Sequence, residues 1–289
     1  MEAEDLSKIA IVTDSTCDLD RELAEKLNIH ILPLKVVFSQ EEQYQDGIEI
    51  TPEEVYARMP HETPSTSMPG PGEIKALFQR LKEEGYTQIV AIHISTGLSS
   101  TLDVVKMVAK DFPELEIETV DSKALSLALG FLVLKAVQLR DLGIKFHEII
   151  EQLNQTRQKI KVFFVVKTLE YLKKGGRIGL VSGSLGQVLD VKPIISINED
   201  GKYYTFSKVR GRVKSLAKLK EIVLEKTKGR TVTLAVAHSD ALEEAKTLYQ
   251  ELLESTTLKI KESWLGQIGP VMGVHAGPGL IGVAYEELS

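Results

Sequence analysis

Apolar and polar residues alternate along the first half of the chain in a way that predicts short strands separated by amphipathic helices. Strands are predicted over residues 9–13, 29–38, 88–94 and 115–120, and helices over 21–27, 51 onward, 72–84, 101–110, 124–142 and 146–155. Residues 41–47 are polar and typical of a turn. The helix from residue 51 is predicted to begin with a capping box, because Thr51 offers a capping hydroxyl, Pro52 follows it and Glu54 is three residues further on. Strands that alternate with helices indicate a parallel sheet with helices on both faces.

Beyond residue 160 the pattern changes. Strands are predicted over residues 161–166, 192–197, 202–209 and 231–237, and helices over 169–174, 212–226 and 240–253. Asp200-Gly201 is a hairpin signal, so this half favours antiparallel pairing. The fold class predicted is α/β with two domains: an N-terminal parallel-sheet domain, residues 1–158, and a C-terminal α+β domain, residues 159–289.

Composition narrows the functional classes. With 289 residues and 43% hydrophobic positions the chain has enough apolar residues for two cores. Its net charge of −6 gives no basic surface for nucleic acid, and the single cysteine excludes a disulfide framework. The start shows no signal peptide, and the longest apolar window, 124–137, is too short to span a bilayer. We expect a cytoplasmic protein without a membrane-spanning segment.

Hydroxyl side chains follow the predicted strands of the first half. They occur in residues 13–16 and 95–101, at Ser122, and in the linker that carries Thr66. Ligands of open parallel sheets bind beyond the carboxyl ends of the strands. Helix capping is the ordinary explanation for any one of these hydroxyls, although Thr96 and Ser99 together exceed one cap. Without a phosphate-binding glycine loop, neutral donors of this kind suit a carboxylate.

One titratable side chain, His275, lies in the segment 269–282 among five glycines and two prolines. Gly277-Pro278-Gly279 predicts a shaped turn that holds the imidazole against another part of the chain. A histidine so placed can also be a base for Ser95 or Thr96, but the elbow motif of α/β-hydrolases is absent. The other histidines show no paired ligand spacing, so no metal site is expected.

Two basic features are weaker signals. Arg177 follows a lysine pair and two glycines, a pattern typical of a helix C-terminus. Arg210 follows a predicted strand and fits a solvated edge.

In chain order, these motifs resemble those of the DegV family, bacterial fatty-acid-binding proteins that act as partners of fatty acid kinase. The resemblance spans essentially the whole chain. It rests on residues 12–16 (VTDST), 66–69 (TSMP), 94–101 (ISTGLSST), 120–122 (VDS), 172–177 (LKKGGR), 192–193 (KP), 209–211 (VRG) and 275–279 (HAGPG).

The resemblance implies one long-chain fatty acid buried between the two domains. Its carboxylate would be held by Thr66, Ser95 and Thr96, with His275 close by. Arg177 and Arg210 would dock the kinase, which supplies ATP and makes the acyl phosphate. The chain itself would then be non-catalytic and need no cofactor or metal. Further residues expected near the pocket are Ser67, Met68, Ser99 and Ser122.

Three positions depart from the family pattern. Thr96 replaces a serine and keeps the hydroxyl, Ser100 replaces a glycine, and Met68 stands where a glutamine is common, which suggests a role in lining an acyl tunnel. Two alternatives stay open. One is a Ser/His-dependent acyl hydrolase or transferase that uses Ser95 or Thr96 with His275. The other is a small-molecule-regulated interaction protein that acts through Arg177.

Overall fold

A computed structural model describes residues 9–184 and 191–288 of the chain. The elements of the first half are β1 (Ile9–Asp14), a 3-10 turn (Ser15–Cys17), α1 (Arg21–Lys26), β2 (Ile29–Leu32), β3 (Lys35–Val37), β4 (Gln43–Gln45), α2 (Pro52–Arg58), β5 (Ser65–Ser67), α3 (Pro71–Glu83), β6 (Gln88–His93), α4 (Thr101–Ala109), β7 (Glu116–Asp121), α5 (Ser126–Asp141) and α6 (Phe146–Lys159).

The second half continues with a second sheet. Its elements are β8 (Ile160–Val165), α7 (Glu170–Lys174), a 3-10 turn (Gly179–Ser184), β9 (Val191–Ile197), β10 (Tyr203–Arg210), α8 (Arg212–Thr227), β11 (Thr231–His238), α9 (Leu242–Leu253), β12 (Lys259–Gln267), α10 (Pro270–Ala276) and β13 (Ile281–Glu287). The chain passes from the first sheet to the second between Lys159 and Ile160.

The first sheet is parallel throughout, in the order β2-β1-β6-β7. Helices α3 and α4 pack on one face and α5 on the other. This confirms the covered parallel sheet that the alternating pattern predicts. The capping box predicted at Thr51 is also present, because the Thr51 and Glu54 side chains bind each other's backbone N–H.

The second sheet has the order β10-β9-β8-β13-β11-β12. Its pairs are antiparallel except for β11 with β12. The predicted hairpin is present, with Gly201 at a positive φ between β9 and β10. Helices α8 and α9 cover the outer face. The fold is therefore the α/β class predicted, with a separate mixed sheet.

Helix α5 lies between the two sheets. Its side chains pack against β1 and β6 on one side and against β8, β11 and β13 on the other. A helix buried on all sides needs no polar face, which explains why its sequence is apolar all round.

A small third sheet, β4-β3-β5, differs from the sequence expectations. The segment 29–38 forms two strands rather than one, because Pro33 interrupts it and β3 turns away to pair with β4 and β5. The predicted turn over 41–47 contains β4, and the 66–69 linker begins within β5. This small sheet and α2 pack against α10 through an apolar cluster that includes Val36, Val55 and Val274.

Candidate functional site

An apolar cavity lies between the N-terminal end of α5 and the inner face of the second sheet. Its volume is about 40 Å³, so the space is narrow. The residues that line it are Leu125, Ser126, Leu127, Ala128, Val162, Phe164, Leu172, Tyr203, Ala235, Ala237, Ile268, Met272, His275, Ala276, Leu280, Gly282 and Ala284.

Small side chains on β11 and β13 form part of the cavity wall. Ala235 pairs with Ala284 and Ala237 pairs with Gly282 in the antiparallel register. Alternate residues of a strand face the same side, so these four point together toward α5. These four residues were not predicted from the sequence. Small residues at alternate positions of both strands could have indicated them, but β13 was not predicted as a strand.

His275 is at one end of the cavity, where it meets the small sheet. Its Nε2 lies 2.8 Å from Oγ1 of Thr66 on β5. The ring packs so closely on the backbone of Gly175 that a Cβ there would overlap it. Two residues 209 positions apart in the chain thus form a direct hydroxyl–imidazole pair at the polar end of an apolar cavity.

The electrostatics of this pair favour an uncharged imidazole. Burial, with a smaller contribution from the Arg177 guanidinium, lowers the pKa of His275 to about 4. Its Nδ1 is buried and has no hydrogen-bond partner among the described residues. At neutral pH the Thr66–His275 pair is therefore uncharged. It offers a ligand one hydrogen-bond donor and one acceptor, and the Arg177 guanidinium is nearby.

Ser95 is buried and faces the hairpin of the second sheet. Its hydroxyl donates to the carbonyl of Gly201 at 2.9 Å and accepts from the N–H of Gly97. A Cβ on Gly201 would collide with the serine oxygen, so the glycine is required for this approach as well as for its φ. Tyr203, two residues after Gly201, lines the cavity, whereas Ser95 itself does not.

Thr96 is directed away from the Thr66–His275 pair. Its hydroxyl donates to Asp121 at 2.5 Å, and the Lys123 ammonium pairs with the same carboxylate at 3.0 Å. The hydrogen bonds and this ammonium outweigh burial and lower the pKa of Asp121. The structure therefore does not bring Thr96 to His275, and a role for Thr96 in carboxylate binding stays a prediction.

Arg177 bridges two loops of the site. Its guanidinium donates to the carbonyls of Gly175 at 2.8 Å and Leu98 at 3.3 Å, and the side chain is half-buried. It therefore holds the hydroxyl loop against the turn that packs on His275. Arg210, at the end of β10, is exposed.

The other expected pocket residues have local roles or face solvent. Ser99 binds Thr101, and Ser122 binds the backbone of Ala124, in the manner of turn and cap residues. Ser67 is half-buried at the end of β5. Met68 is 39% exposed and does not line the apolar cavity, because the chain leaves β5 before it. This arrangement does not support a tunnel-lining role for Met68.

The geometry does not favour the alternative of a Ser/His-dependent acyl hydrolase or transferase. Ser95 and Thr96 bind Gly201 and Asp121 rather than His275. The hydroxyl that does meet His275 is that of Thr66, and Nδ1 of this histidine lacks the orienting carboxylate of a catalytic triad within the described chain.

Two carboxylates that the sequence alone did not single out fix α10 in place: Asp46 is buried and Asp18 is half-buried. Asp18 accepts from the N–H of Gly269 at 2.9 Å and from the Ser126 hydroxyl at 2.5 Å. Asp46 accepts from the N–H of Val271 at 2.9 Å and from Ser15. Burial is the main cause that raises their pKa values, to about 7 for Asp18 and about 6 for Asp46. They attach the helix that carries His275 to the N-terminal half.

Within residues 9–184 and 191–288, no cluster of three or more His, Cys, Asp or Glu side chains could hold a metal ion. No helix in these ranges is long and apolar enough to cross a bilayer.

The fold and the cavity define the class: an α/β protein with two large sheets and a small third one, which contains an apolar cavity with a hydroxyl–imidazole pair at one end. The family model described as "Uncharacterised protein, DegV family" matches residues 8–288. The chain belongs to the DegV family.

Relatives and solved structures agree with this assignment. A DegV domain-containing protein of Clostridium acetobutylicum is 40% identical, over 96% of this chain and 98% of the relative. A fatty-acid-binding DegV family protein from Thermus thermophilus is 31% identical, with a TM-score of 0.91 over 97% of this chain and 100% of that one. DegV of Bacillus subtilis, a fatty acid binding protein, is 32% identical, with a TM-score of 0.86 over 97% and 99%.

Proposed function

We propose that this protein binds one long-chain fatty acid, with the acyl chain in the apolar cavity and the carboxylate at the Thr66–His275 end. The observation that carries the proposal is the cavity itself: an apolar enclosure with a hydroxyl and an imidazole at one end. Fatty acid binding by the Thermus thermophilus and Bacillus subtilis proteins supports it.

The energetics favour a long acyl chain. Burial of each methylene contributes roughly 0.8 kcal/mol, so the chain supplies most of the affinity. The polar end supplies selectivity, because a carboxylate taken from water needs hydrogen-bond donors in the protein. Thr66 has a hydroxyl at this end, and the Arg177 guanidinium is close enough to lower the pKa of His275. The Ser95 hydroxyl would have to release the Gly201 carbonyl before it could donate to a ligand.

Native mass spectrometry of the protein purified without detergent tests the proposal. We expect a mass increase that corresponds to one acyl chain, and oleate should bind the delipidated protein with one-to-one stoichiometry. Ala284→Leu, which extends a side chain into the cavity, should bind less oleate than the parent. A delipidated parent that acquires no oleate would disprove the proposal.

A finer part of the proposal concerns the fate of the bound acid. We propose that the protein presents the carboxylate to a cytoplasmic fatty acid kinase, which transfers the γ-phosphoryl group of ATP to it and releases ADP. The Pro278-Gly279 turn that follows His275 borders a cleft of mixed charge, which is lined by Lys167, Lys192, Arg212, Asp240 and Glu244. Arg212 pairs with Glu244 at 2.8 Å.

Two arginine variants separate docking from lipid binding. Because Arg210 is exposed, Arg210→Ala should keep its fatty acid and lose phosphorylation by the kinase. Arg177→Ala should weaken both, since Arg177 also holds the carbonyls of Gly175 and Leu98. Full phosphorylation of fatty acid bound to Arg210→Ala would remove Arg210 from the docking surface.

A further inference from the structure

Asp14, the last residue of β1, is fully buried and receives four hydrogen bonds on one carboxylate. Its Oδ1 accepts from the N–H of Thr16 at 3.1 Å and from the Thr16 hydroxyl at 2.5 Å. Its Oδ2 accepts from the N–H of Ile94 at 3.0 Å and from Nδ1 of His93 at 2.9 Å. A single side chain therefore joins the turns that follow β1 and β6.

His93 supports this carboxylate from the neighbouring strand. Both side chains are fully buried, and since a carboxylate only accepts, the shared proton lies on Nδ1. Nε2 is left without a partner among the described residues, which is unfavourable in a buried site. An apolar side chain would avoid this cost, so the histidine is explained by its bond to Asp14.

The Asp14 bond to Ile94 lies directly before the hydroxyl loop. Three successive N–H groups of this loop are held: that of Ile94 by Asp14, that of Ser95 by the Ala124 carbonyl, and that of Thr96 by the Asp121 carboxylate. Asp121 is the last residue of β7 and Ala124 lies in the turn after it, whereas Asp14 comes from β1.

On its other oxygen, Asp14 orders the turn that leads to α10. Thr16 lies next to Ser15, whose hydroxyl donates to Asp46 at 2.6 Å. Asp46 in turn accepts from the first turn of the helix that carries His275. The Asp14 carboxylate therefore connects both sides of the polar end of the cavity.

We propose that Asp14, supported by His93, is a positioning residue that aims the hydroxyl and imidazole groups at the ligand carboxylate. The proposal rests on the proposed function. It predicts that Asp14 affects the preference for a carboxylate over a neutral head group and has little effect on burial of the acyl chain.

Asp14→Asn is the direct test. Asparagine has the same shape but only one acceptor oxygen, so either Ile94 or Thr16 loses its acceptor. We expect the ratio of affinities for oleic acid and oleyl alcohol to fall about tenfold, as for the loss of one well-aligned hydrogen bond. Affinity for oleyl alcohol should stay within about twofold of the parent, because the apolar cavity is unchanged.

Two His93 variants of similar size provide a second test if Asp14→Asn does not fold. In His93→Asn the side-chain amide replaces the Nδ1 donor, whereas His93→Leu removes it. Both lose ring packing and should melt at a lower temperature than the parent. Only His93→Leu should lose the preference for the acid, and His93→Asn should keep it.

Leu234→Ala is the matched control for general destabilisation. Leu234 is buried on the outer face of the second sheet, opposite to the face that lines the cavity. It should lower the melting temperature and leave the acid-to-alcohol ratio unchanged. A parent that binds neither ligand would disprove the proposed function. A parent that prefers the acid, with the same preference in Asp14→Asn or His93→Leu, would overturn the positioning role alone.

Discussion

At the residue scale, the sequence shows which chemical group a position carries, but it predicts less well where that side chain points. Thr66 and His275 were both expected at the head group, and they are in direct contact. Thr96 carries the expected hydroxyl, but Asp121 draws it to the neighbouring strand end. Asp121 lies 25 residues beyond Thr96 in the chain. It becomes a neighbour of Thr96 only because β6 and β7 pair in the sheet.

The lowered pKa of His275 predicts a pH effect on fatty acid binding. A bound carboxylate would raise this pKa from about 4, so binding would take up protons. Affinity should then increase as pH falls toward 4, by about 1.4 kcal/mol for each unit by which the pKa rises. Titration calorimetry between pH 8 and 5 measures this effect.

His275→Gln is the control for ionisation of the fatty acid itself. This variant keeps a polar group near Thr66 but cannot titrate, so its pH dependence should be the shallower of the two. Equal slopes, together with an NMR-measured pKa of His275 that oleate does not shift, would refute the prediction.

At the element scale, periodicity identified most helices and strands of the first half but not their partners. Helix α5 was recognisable as apolar all round, and its position between two sheets explains that composition. Helix α10 was not predicted, because its glycines and prolines disfavour helix. It forms because Asp18 and Asp46 satisfy N–H groups of its first turn and Thr66 binds its histidine.

The paired small residues of β11 and β13 predict a chain-length effect. Ala284→Leu should fill the space of about two methylenes, which is worth roughly 1.6 kcal/mol. We expect affinity for an 18-carbon acid to fall about tenfold relative to that for a 10-carbon acid. Competition with a fluorescent fatty acid measures both affinities.

Ala245→Leu provides the comparison for this prediction. Ala245 is a fully buried residue of α9, which covers the outer face of the same sheet, so its enlargement disturbs packing without entering the cavity. The variant should be destabilised with unchanged chain-length preference. A similar shift in preference for both variants would exclude Ala284 as a specificity residue.

At the scale of the whole molecule, the carboxylates of Asp18 and Asp46 join the N-terminal half of the chain to the C-terminal half. Asp18 and Asp46 belong to the N-terminal half, and the N–H groups that they accept from are in the segment that begins α10. Gly269 fits between both carboxylates, where a Cβ would lie 3.1 Å from Oδ1 of Asp18. Any motion that separates the halves must break these bonds.

The raised pKa of Asp18 predicts how stability depends on pH. A folded-state pKa of about 7 lies above the model value of 3.8, so the folded protein holds a proton that the unfolded chain has lost. Stability from this group is therefore present at low pH and is lost as pH rises through 7. In Asp18→Asn the amide can accept from Gly269 and donate to Ser126 without charge.

Thermal melts of the parent and Asp18→Asn at pH 5 and pH 8 measure this effect. The fall in melting temperature between the two pH values should be smaller in the variant by roughly 2 °C or more, since 1 kcal/mol corresponds to about 2–4 °C for large domains. Asp20→Asn, at the exposed N-cap of α1, is the control and should follow the parent. The same fall in Asp18→Asn as in the parent would contradict the raised pKa.

The sequence by itself determined the covered parallel sheet, the α/β class, the Asp200-Gly201 hairpin, the capping box and the family, because each is written in local periodicity or short motifs. Only the tertiary structure decided that α5 lies between two sheets and that paired small residues leave a cavity beside it. It also decided that the carboxylates of Asp18 and Asp46 hold α10, so that His275 lies against Thr66. Local patterns specify which face of an element is buried. They do not specify what covers it, since that depends on contacts between residues hundreds of positions apart.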